Sequence, residues 1–261
     1  MCLVLFAHAA HSRHPLVVAA NRDEFHARAA APAAWIEPGL LAGRDLEAGG
    51  SWFALARDGR FALVTNVREP ARPRIGAPSR GALPLRVASD RRELTQVLAA
   101  VALELPAFNG CNLLAGSPRG LCFLSNRAEG LVQVAPGVHG LSNHGLDTPW
   151  PKVMRGKARL AAWLATDGED VEALFTLLGD RTIAADAELP QTGIPLDWER
   201  RLSAAFILSP DYGTRCSTVL IISRDGRVRW IERRFGPDGQ LLGEVVESFE
   251  LISGREPGRL A

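Results

Sequence analysis

Two short segments near the N-terminus carry side chains that together could perform acyl-transfer chemistry. Cys2 follows the initiator Met1, and an apolar run later ends in the sequence NRDE at residues 21–24. A small residue at position two allows removal of Met1, after which Cys2 carries a thiol and a free α-amine, a nucleophile with its own base. A guanidinium lowers the pKa of a nearby thiol, and a carboxylate can orient the guanidinium or the amine. The pattern therefore predicts Cys2, Arg22 and Asp23 as a catalytic group.

Antiparallel pairing of two strands would bring these segments together. Residues 3–9 and 16–20 are apolar, and residues 11–15 favour a turn. A hairpin centred near residue 12 places Cys2 opposite residues 21–23, where facing residues lie about 5 Å apart. A slip of one residue would turn one of the groups to the other face of the sheet. The alternative is that Cys2 is a small buried hydrophobic residue and residues 21–24 are a charged strand end.

The composition is that of an ordinary globular protein. The chain has 261 residues, 47% hydrophobic and 23% charged, with a net charge of +1, so nucleic acid and anionic membranes are not expected partners. No apolar run is long enough to span a bilayer. The four cysteines, at positions 2, 111, 122 and 216, have no metal-ligand spacing, and we expect free thiols in a reducing compartment and no metal site. Without a basic segment before the first apolar run, we expect a cytoplasmic protein.

A second hairpin supplies further polar candidates. Residues 51–57 and 60–66 flank Asp58-Gly59, a pair typical of a two-residue type I′ turn because glycine accepts a positive φ. Symmetric pairing about this turn predicts Asn66 opposite Ser51. Gly49-Gly50, just before the hairpin, indicates a close backbone approach or a sharp bend.

The rest of the chain alternates helices with antiparallel strands. Apolar periodicity predicts helices over residues 83–88, 91–103, 151–165, 169–178 and 198–206, and strands over residues 112–115, 121–125, 132–134, 216–222, 228–233 and 245–251. Residues 3–7 and 219–222 are almost continuously hydrophobic, which is typical of strands covered on both faces. We therefore expect an α+β protein, one domain over residues 1–261, with two antiparallel sheets between helical layers.

An ordered set of short motifs resembles a known family. The motifs are Met1-Cys2, residues 20–25 (ANRDEF), 50–52 (GSW), 63–66 (LVTN), 79–81 (SRG), 140–143 (GLSN), 149–152 (PWPK) and 212–215 (YGTR). Together they look like the NRDE family, also called the transport and Golgi organisation two family, and they extend from residue 1 to about residue 223. The resemblance implies an N-terminal-nucleophile-hydrolase-like fold, a four-layer αββα sandwich of two antiparallel sheets flanked by helices.

That fold suggests a comparison with its cysteine members, the choloylglycine and penicillin V acylases. In those enzymes an N-terminal cysteine attacks an amide carbonyl, its amine moves the proton, and asparagine and backbone groups stabilise the oxyanion. The resemblance implies these catalytic residues here: Cys2 as the nucleophile, Arg22 with Asp23 as the orienting pair, Asn66 and Asn143 as oxyanion or substrate donors, and Arg215 as a second guanidinium. Because neighbouring side chains on a regular strand alternate faces, Arg22 and Asp23 can both serve the thiol only at a bend or bulge.

Six further residues are expected to bind a ligand: Asn21, Glu24, Trp52, Arg80, Ser142 and His144. Trp52 could equally be a core residue or the wall of a pocket. Arg80 is either a solvated loop charge or a group that holds an anion. The histidines at positions 8, 11 and 14 are interpreted as solvated turn residues, so His144 is the histidine to test as a ligand.

Two functions remain open from the sequence. The first is a cysteine hydrolase or acyltransferase that cleaves an amide or thioester through an acyl-enzyme at Cys2 and requires no cofactor. A retained Met1 would mask the amine, although a thiolate beside Arg22 could still react. The second, implied by the resemblance, is a non-catalytic carrier of haem, acyl-coenzyme A or another lipid, with haem as a ligand in haem trafficking. A purely structural interaction module is the least favoured interpretation, because a polar cluster at converging strand ends has no obvious structural use.

Overall fold

The computed structural model describes residues 3–37, 39–70 and 74–252. The strands are β1 (Leu3–His8), β2 (Leu16–Phe25), β3 (Ala30–Glu37), β4 (Leu40–Asp45), β5 (Phe53–Ala56), β6 (Phe61–Asn66), β7 (Cys111–Ser117), β8 (Gly120–Ser125), β9 (Val132–Val134), β10 (Gly137–Leu141), β11 (Tyr212–Ile222), β12 (Arg227–Phe235) and β13 (Leu241–Glu250). The helices are α1 (Ala82–Ser89), α2 (Leu94–Glu104), α3 (Pro151–Leu164), α4 (Val171–Leu178) and α5 (Leu196–Leu202). Within these described ranges, no helix is both long and apolar enough to cross a membrane.

The strands form two antiparallel sheets. The first has the order β10-β1-β2-β11-β12-β13, and the second has the order β3-β4-β5-β6-β7-β8-β9. Their facing sides bury one apolar core that includes Phe6, Phe53 and Trp230. The outer face of the first sheet packs on α3 and α4, and the outer face of the second packs on α1 and α2. The expected α+β sandwich of four layers is confirmed.

Both faces of β1 are buried, as its continuous hydrophobicity predicts. Val4 and Phe6 face the core between the sheets, whereas Leu3 and Leu5 face the helical layer. The first hairpin has the predicted register, with Leu3 opposite Asn21. The N-terminal end of β1 therefore opens beside the NRDE segment.

The second hairpin differs from its prediction by one residue. Phe53 pairs with Leu63 and Leu55 with Phe61, so Ser51 and Asn66 are not directly opposite. Gly59 has a φ of +85°, but Asp58 does not have the positive φ that a type I′ turn requires. The strands are instead joined by a three-residue loop in which Gly59 takes the left-handed position. The predicted pairing was wrong because the shape of this loop, and not the Asp-Gly pair alone, sets the register.

Three strands were not predicted. β3 contains Pro32 and several alanines, a composition that is poor in strand formers, and it lies at the edge of its sheet, where proline is tolerated. β4 is equally short of β-branched residues, and β10 follows a proline and begins with glycine. The last predicted helix ends early, because the chain beyond Leu202 leaves the helix and the N–H of Phe206 bonds to Asp180 instead.

Candidate active site

A cavity of about 370 Å³ lies where the C-terminal ends of β2 and β6 meet the segments before β5 and α1. The residues around it are Arg22, Asp23, Glu24, Arg28, Asp45, Ala48, Ser51, Trp52, Val64, Asn66, Ala77, Pro78, Ser79, Arg80, Gly81 and Asn109. Six of them are residues that the sequence singled out: Arg22, Asp23, Glu24, Trp52, Asn66 and Arg80. The predicted nucleophile, Cys2, lies outside the described residues.

The close approach of Gly50 to Gly81, beside this cavity, explains the paired glycines before β5. The N–H of Ser51 donates to the carbonyl of Gly81 at 2.9 Å. A Cβ on Gly50 would lie 2.5 Å from the carbonyl carbon of Gly81, which is too close for any other residue. The predicted close backbone approach is thus confirmed, and it joins one wall of the cavity to the start of α1.

Arg22 is buried at the cavity, with 4% of its surface exposed. Its Nη2 donates to Asp45 Oδ2 at 3.0 Å, and its guanidinium carbon lies 4.5 Å from the centroid of the Trp52 ring. Its Nη1 is buried and has no hydrogen-bond partner among the residues that the structure describes. Trp52 therefore forms a wall of the cavity, and its ring stacks with the guanidinium of Arg22. A cation over an indole face is a favourable interaction.

Asp23 faces the same cavity and is also 4% exposed. Its Oδ1 accepts a hydrogen bond of 2.6 Å from the hydroxyl of Thr214, and that hydroxyl in turn accepts the N–H of Ile207 at 2.9 Å. Opposite these residues the register of β11 shifts between Thr214 and Cys216, so that Arg215 is the extra residue of a β-bulge. A bulge increases the local twist, and here it accompanies the placement of Arg22 and Asp23 around one cavity.

Asp45 is a site residue that the sequence did not reveal. It lies at the end of β4, and its Oδ2 accepts hydrogen bonds from Arg22 and from Arg28 Nε, the latter at 2.6 Å. Burial alone would raise the pKa of Asp45, but hydrogen bonds from Arg28 and from the N–H of Ala48, with the charges of Arg28 and Arg22, outweigh burial and lower this pKa. Since β4 has no clear strand signal, nothing in the local sequence indicates where this carboxylate lies.

Arg215 lies behind Arg22 rather than in the main cavity. Its Nη1 donates to the carbonyls of Phe25, His26 and Arg28 at 2.9, 3.2 and 2.9 Å. Burial, and next the charge of Arg22, lower the pKa of Arg215. With Arg22 and Cys216 it lines a separate cavity of about 40 Å³. Arg215 therefore stabilises the turn between β2 and β3 by binding its backbone carbonyls.

The two predicted oxyanion donors lie next to each other, but only one lines the cavity. Asn66 is at the cavity. Asn143 Nδ2 donates to the carbonyl of Asn66 at 2.9 Å, and the carbonyl of Asn143 accepts the N–H of Arg68 at 2.7 Å. The amide of Asn143 is therefore used to hold the end of β6, and Asn66 is the asparagine with access to a ligand.

Three other predicted ligand residues are not in the cavity lining. Asn21 points to the opposite face of β2, where its Nδ2 donates to the carbonyls of Leu178 and Ala205. Ser142 is buried beside Asn143, at 3.5 Å from Oγ to Oδ1. His144 is exposed, and its Nδ1 lies 3.1 Å from the hydroxyl of Thr148.

Two of the three turn histidines, His8 and His14, are not solvated, which corrects the interpretation from sequence for these two, whereas His11 is partly exposed. His8 and His14 are buried, and burial lowers the pKa of both. His14 stacks on His11 at 5.0 Å between ring centroids, and its Nδ1 lies 3.2 Å from the hydroxyl of Ser223. These rings help to seal the hairpin end farthest from the NRDE segment.

The described cysteines are free and buried, as expected. Burial raises the pKa of Cys111 to about 11 and also raises the pKa of Cys122 and Cys216. Because thiolates are the reactive form, these three thiols should react slowly with electrophiles.

Comparison with known proteins gives both a family and a fold. The family model described as transport and Golgi organisation 2 matches residues 1–237. The transport and Golgi organization protein 2 homolog of Bos taurus is 32% identical over 97% of this chain and all of that protein, and the homolog of Homo sapiens is 30% identical over 89% of this chain and 92% of that protein.

Two solved structures share the fold. One is the Caenorhabditis elegans ortholog of N-acylethanolamine-hydrolyzing acid amidase, with a TM-score of 0.53 and 10% identity over 84% of this chain and 92% of that chain. The other is a mutant of the conjugated bile acid hydrolase from Clostridium perfringens, with a TM-score of 0.52 and 8% identity over the full length of both. These similarities concern the fold, which is that of the N-terminal-nucleophile hydrolases. The match over most of its length shows that this chain belongs to the transport and Golgi organisation 2 family.

Proposed function

We propose that this protein is a cysteine hydrolase or acyltransferase that cleaves an amide or thioester through Cys2. The observation that carries the proposal is the pair of buried charges, Arg22 and Asp23, at one cavity next to the first described residue of β1. Cys2 is bonded to Leu3, whose partner in the hairpin is Asn21, and consecutive Cα atoms are about 3.8 Å apart. Both structural neighbours are named for hydrolysis, one as an acid amidase and one as a conjugated bile acid hydrolase.

The proposed reaction has two steps. The α-amine removes the thiol proton, and the thiolate attacks the carbonyl carbon, forming a C–S bond and an oxyanion that Asn66 stabilises. Collapse breaks the bond to the leaving nitrogen or sulfur, which takes up the proton. Water then gives up one proton to the amine and adds to the acyl carbon, the C–S bond breaks, the acid product departs, and the proton from water passes to the Cys2 sulfur. Arg22 favours the thiolate, and Asp23 orients the amine.

The cavity lining indicates what kind of substrate end would fit. Its charged residues are balanced, with arginines at 22, 28 and 80 and carboxylates at 23, 24 and 45. At about 370 Å³ it lies near the lower end of the range for small-molecule sites, about 300–1,000 Å³. We infer that it takes a small polar group around the scissile bond, with any long apolar part of the substrate outside.

The carrier function comes second, because the described cavity suits haem poorly. Proteins hold haem iron through histidine, methionine, cysteine or tyrosine. None of the described residues that line the cavity is of these types, and His144, the histidine proposed from sequence, is exposed outside it. A haem carrier would therefore need Cys2 as the iron ligand at this cavity or a different surface of this protein.

Intact-mass spectrometry with an acyl or lactone electrophile tests the proposal. Protein shown by mass to lack Met1 should gain one acyl group at Cys2, and Cys2→Ala should gain none. The buried Cys111, Cys122 and Cys216 act as internal controls, resolved by peptide mapping. Absence of labelling, together with a saturable Soret shift on adding haem, would support the carrier instead.

The location proposed from sequence is cytoplasmic. Three free, buried cysteines are consistent with a reducing compartment. Fractionation of cells that express the tagged protein tests this, and recovery in an organelle or membrane fraction would contradict it.

A further inference from the structure

The carboxylate of Asp45 is held in one orientation by four hydrogen bonds. Its Oδ1 accepts the backbone N–H groups of Glu47 at 3.1 Å and Ala48 at 2.9 Å. Its Oδ2 accepts Arg22 Nη2 at 3.0 Å and Arg28 Nε at 2.6 Å. Because the backbone fixes Oδ1, Oδ2 is also fixed in place, and the position of Oδ2 determines the orientation of the Arg22 guanidinium that bonds to it.

This arrangement limits what Arg22 can offer to a ligand. An unrestrained guanidinium presents a fork of N–H groups that binds both oxygens of a carboxylate. In Arg22 one terminal nitrogen is taken by Asp45 and the face of the group lies on Trp52. Nη1 is the terminal nitrogen that remains, and no described residue accepts a hydrogen bond from it. Nη1 is therefore the buried end of Arg22 that is left for a ligand or a catalytic group, while Asp45 and Trp52 hold the rest of the guanidinium.

Arg28, the second arginine that bonds to Asp45, is also immobilised. Arg28 bonds to Asp45 and to Glu47, the latter at 3.2 Å. The carbonyl of Arg28 accepts a hydrogen bond from Arg215, which also fixes the two preceding carbonyls of the turn, those of residues 25 and 26. Asp45 thus joins the end of β4 in one sheet to β2 in the other through residues that have little freedom.

We propose that Asp45 is a positioning residue that fixes the Arg22 guanidinium in the orientation in which it favours the Cys2 thiolate. This inference rests on the proposed role of Cys2. The charged groups around Arg22 come from every neighbouring element: Asp23 and Glu24 on β2, Arg28 after β2, Asp45 on β4, Arg80 before α1, Arg215 on β11 and Glu232 on β12. Among these groups, Asp45 accepts a hydrogen bond directly from the Arg22 guanidinium.

The variant Asp45→Asn tests the inference through the sign of its effect. If Asp45 acted only by its negative charge, removing that charge would lower the pKa of the Cys2 thiol. If it positions Arg22, its loss frees the guanidinium to turn away from its proposed orientation, and the thiol pKa of Cys2 rises by about one unit, which is about a tenfold loss of thiolate at a pH below both values. The measurement is the pH dependence of iodoacetamide alkylation of Cys2 in protein lacking Met1, followed by peptide mass mapping.

Three further variants make the result specific. Asp45→Glu keeps the charge and moves the oxygens by one methylene, so positioning predicts a smaller rise and a pure charge effect predicts no change. Glu47→Gln removes a carboxylate that contacts Arg28 but not Arg22, and it should leave the thiol pKa unchanged. In an Arg22→Gln background, Asp45→Asn should add no further rise.

The two proposals fail in different ways. A Cys2 that is not acylated in unaltered protein lacking Met1 overturns the proposed function, and the positioning role falls with it. A Cys2 that is acylated but has an ordinary thiol pKa overturns the positioning role alone. A lowered Cys2 pKa that Asp45→Asn leaves unchanged or lowers further overturns the positioning role alone. If Asp45→Asn does not fold, an unchanged thiol pKa in Asp45→Glu likewise overturns the positioning role.

Discussion

Glu232 on β12 accepts a hydrogen bond of 2.8 Å from the backbone N–H of Ala33 on β3, so a carboxyl group of one sheet satisfies a backbone donor of the other sheet. This N–H needs an acceptor because β3 has a bulge, where the register shifts between Ala31 and Ala34 around Pro32. The N–H of Ala33 is left without a strand partner, and a buried backbone donor must be satisfied. Glu232 is fully buried, and its second oxygen lies 3.4 Å from the hydroxyl of Thr218.

This contact predicts a stability that falls as the pH rises. Burial raises the pKa of Glu232 from 4.5 to about 7. Between these values the folded protein binds more protons than the unfolded chain, so the free energy of unfolding decreases with pH. The full loss is up to about 3 kcal/mol. Urea unfolding of the unaltered protein and of Glu232→Gln at pH 5 and pH 8 checks this.

Comparing the unaltered protein with Glu232→Gln isolates the contribution of Glu232 to the pH dependence of stability. His8 and His14, whose pKa values are lowered by burial, change stability with pH in the opposite direction, and they are present in both proteins. The unaltered protein should lose more stability than Glu232→Gln between the two pH values. Equal losses would mean that Glu232 stays ionised in the folded protein.

A buried ion pair near the site should be expensive to break. Arg68 Nη1 and Glu199 Oε2 are 2.6 Å apart, with side chains 6% and 5% exposed, and the Arg68 guanidinium lies over Trp150. Glu199→Ala leaves Arg68 buried without its carboxylate, so we expect a loss of about 3–5 kcal/mol in urea unfolding. Asp186→Ala is the matched control.

The control removes an ion pair of similar geometry at the surface. Arg200 and Asp186 are 2.7 Å apart but are 42% and 55% exposed. Because solvent screens this pair, its loss should cost much less stability than the loss of the buried pair. Similar losses for Glu199→Ala and Asp186→Ala would contradict the assignment of a buried pair.

Thr214 should matter for acylation through Asp23. Thr214→Val removes the hydroxyl that donates to Asp23, and with it one restraint on the carboxylate that we propose to orient the Cys2 amine. We expect the rate of Cys2 acylation to fall by about tenfold or more. Thr214→Ser keeps the hydroxyl and should restore most of the rate. A Thr214→Val protein that folds and is acylated at the normal rate would show that Asp23 does not depend on the Thr214 hydroxyl for its proposed role.

The close approach of Gly50 to Gly81 predicts an intolerance of larger residues. Gly50→Ala forces the wall of the cavity away from the start of α1, which should destabilise the protein by about 1–3 kcal/mol and slow the labelling of Cys2. Gly120→Ala, with no atom within 4 Å of the added Cβ, is the control. Thermal melts and labelling rates of the two variants should differ; equal melts would show that the wall relaxes freely.

The sequence was sufficient for the features that depend on local pattern. The first hairpin has the register that its turn and apolar runs predict, with Leu3 opposite Asn21, because the side-chain period of a strand and a short turn leave few alternatives. The stacking of two sheets between helices followed from strands that are hydrophobic on both faces. These features, with the motif set, also located Arg22, Asp23 and Asn66 at one site.

The tertiary structure alone decided how the site is built. Asn21 and Arg22 are neighbours in sequence, but alternation along β2 sends Asn21 to the helical layer and Arg22 to the cavity. Asp45 reaches Arg22 from the other sheet, through a strand without a recognisable composition. Local pattern determines which face of its own strand a side chain occupies, whereas the contact between two faces depends on how separate strands and sheets pack, and no short stretch of sequence encodes that distance.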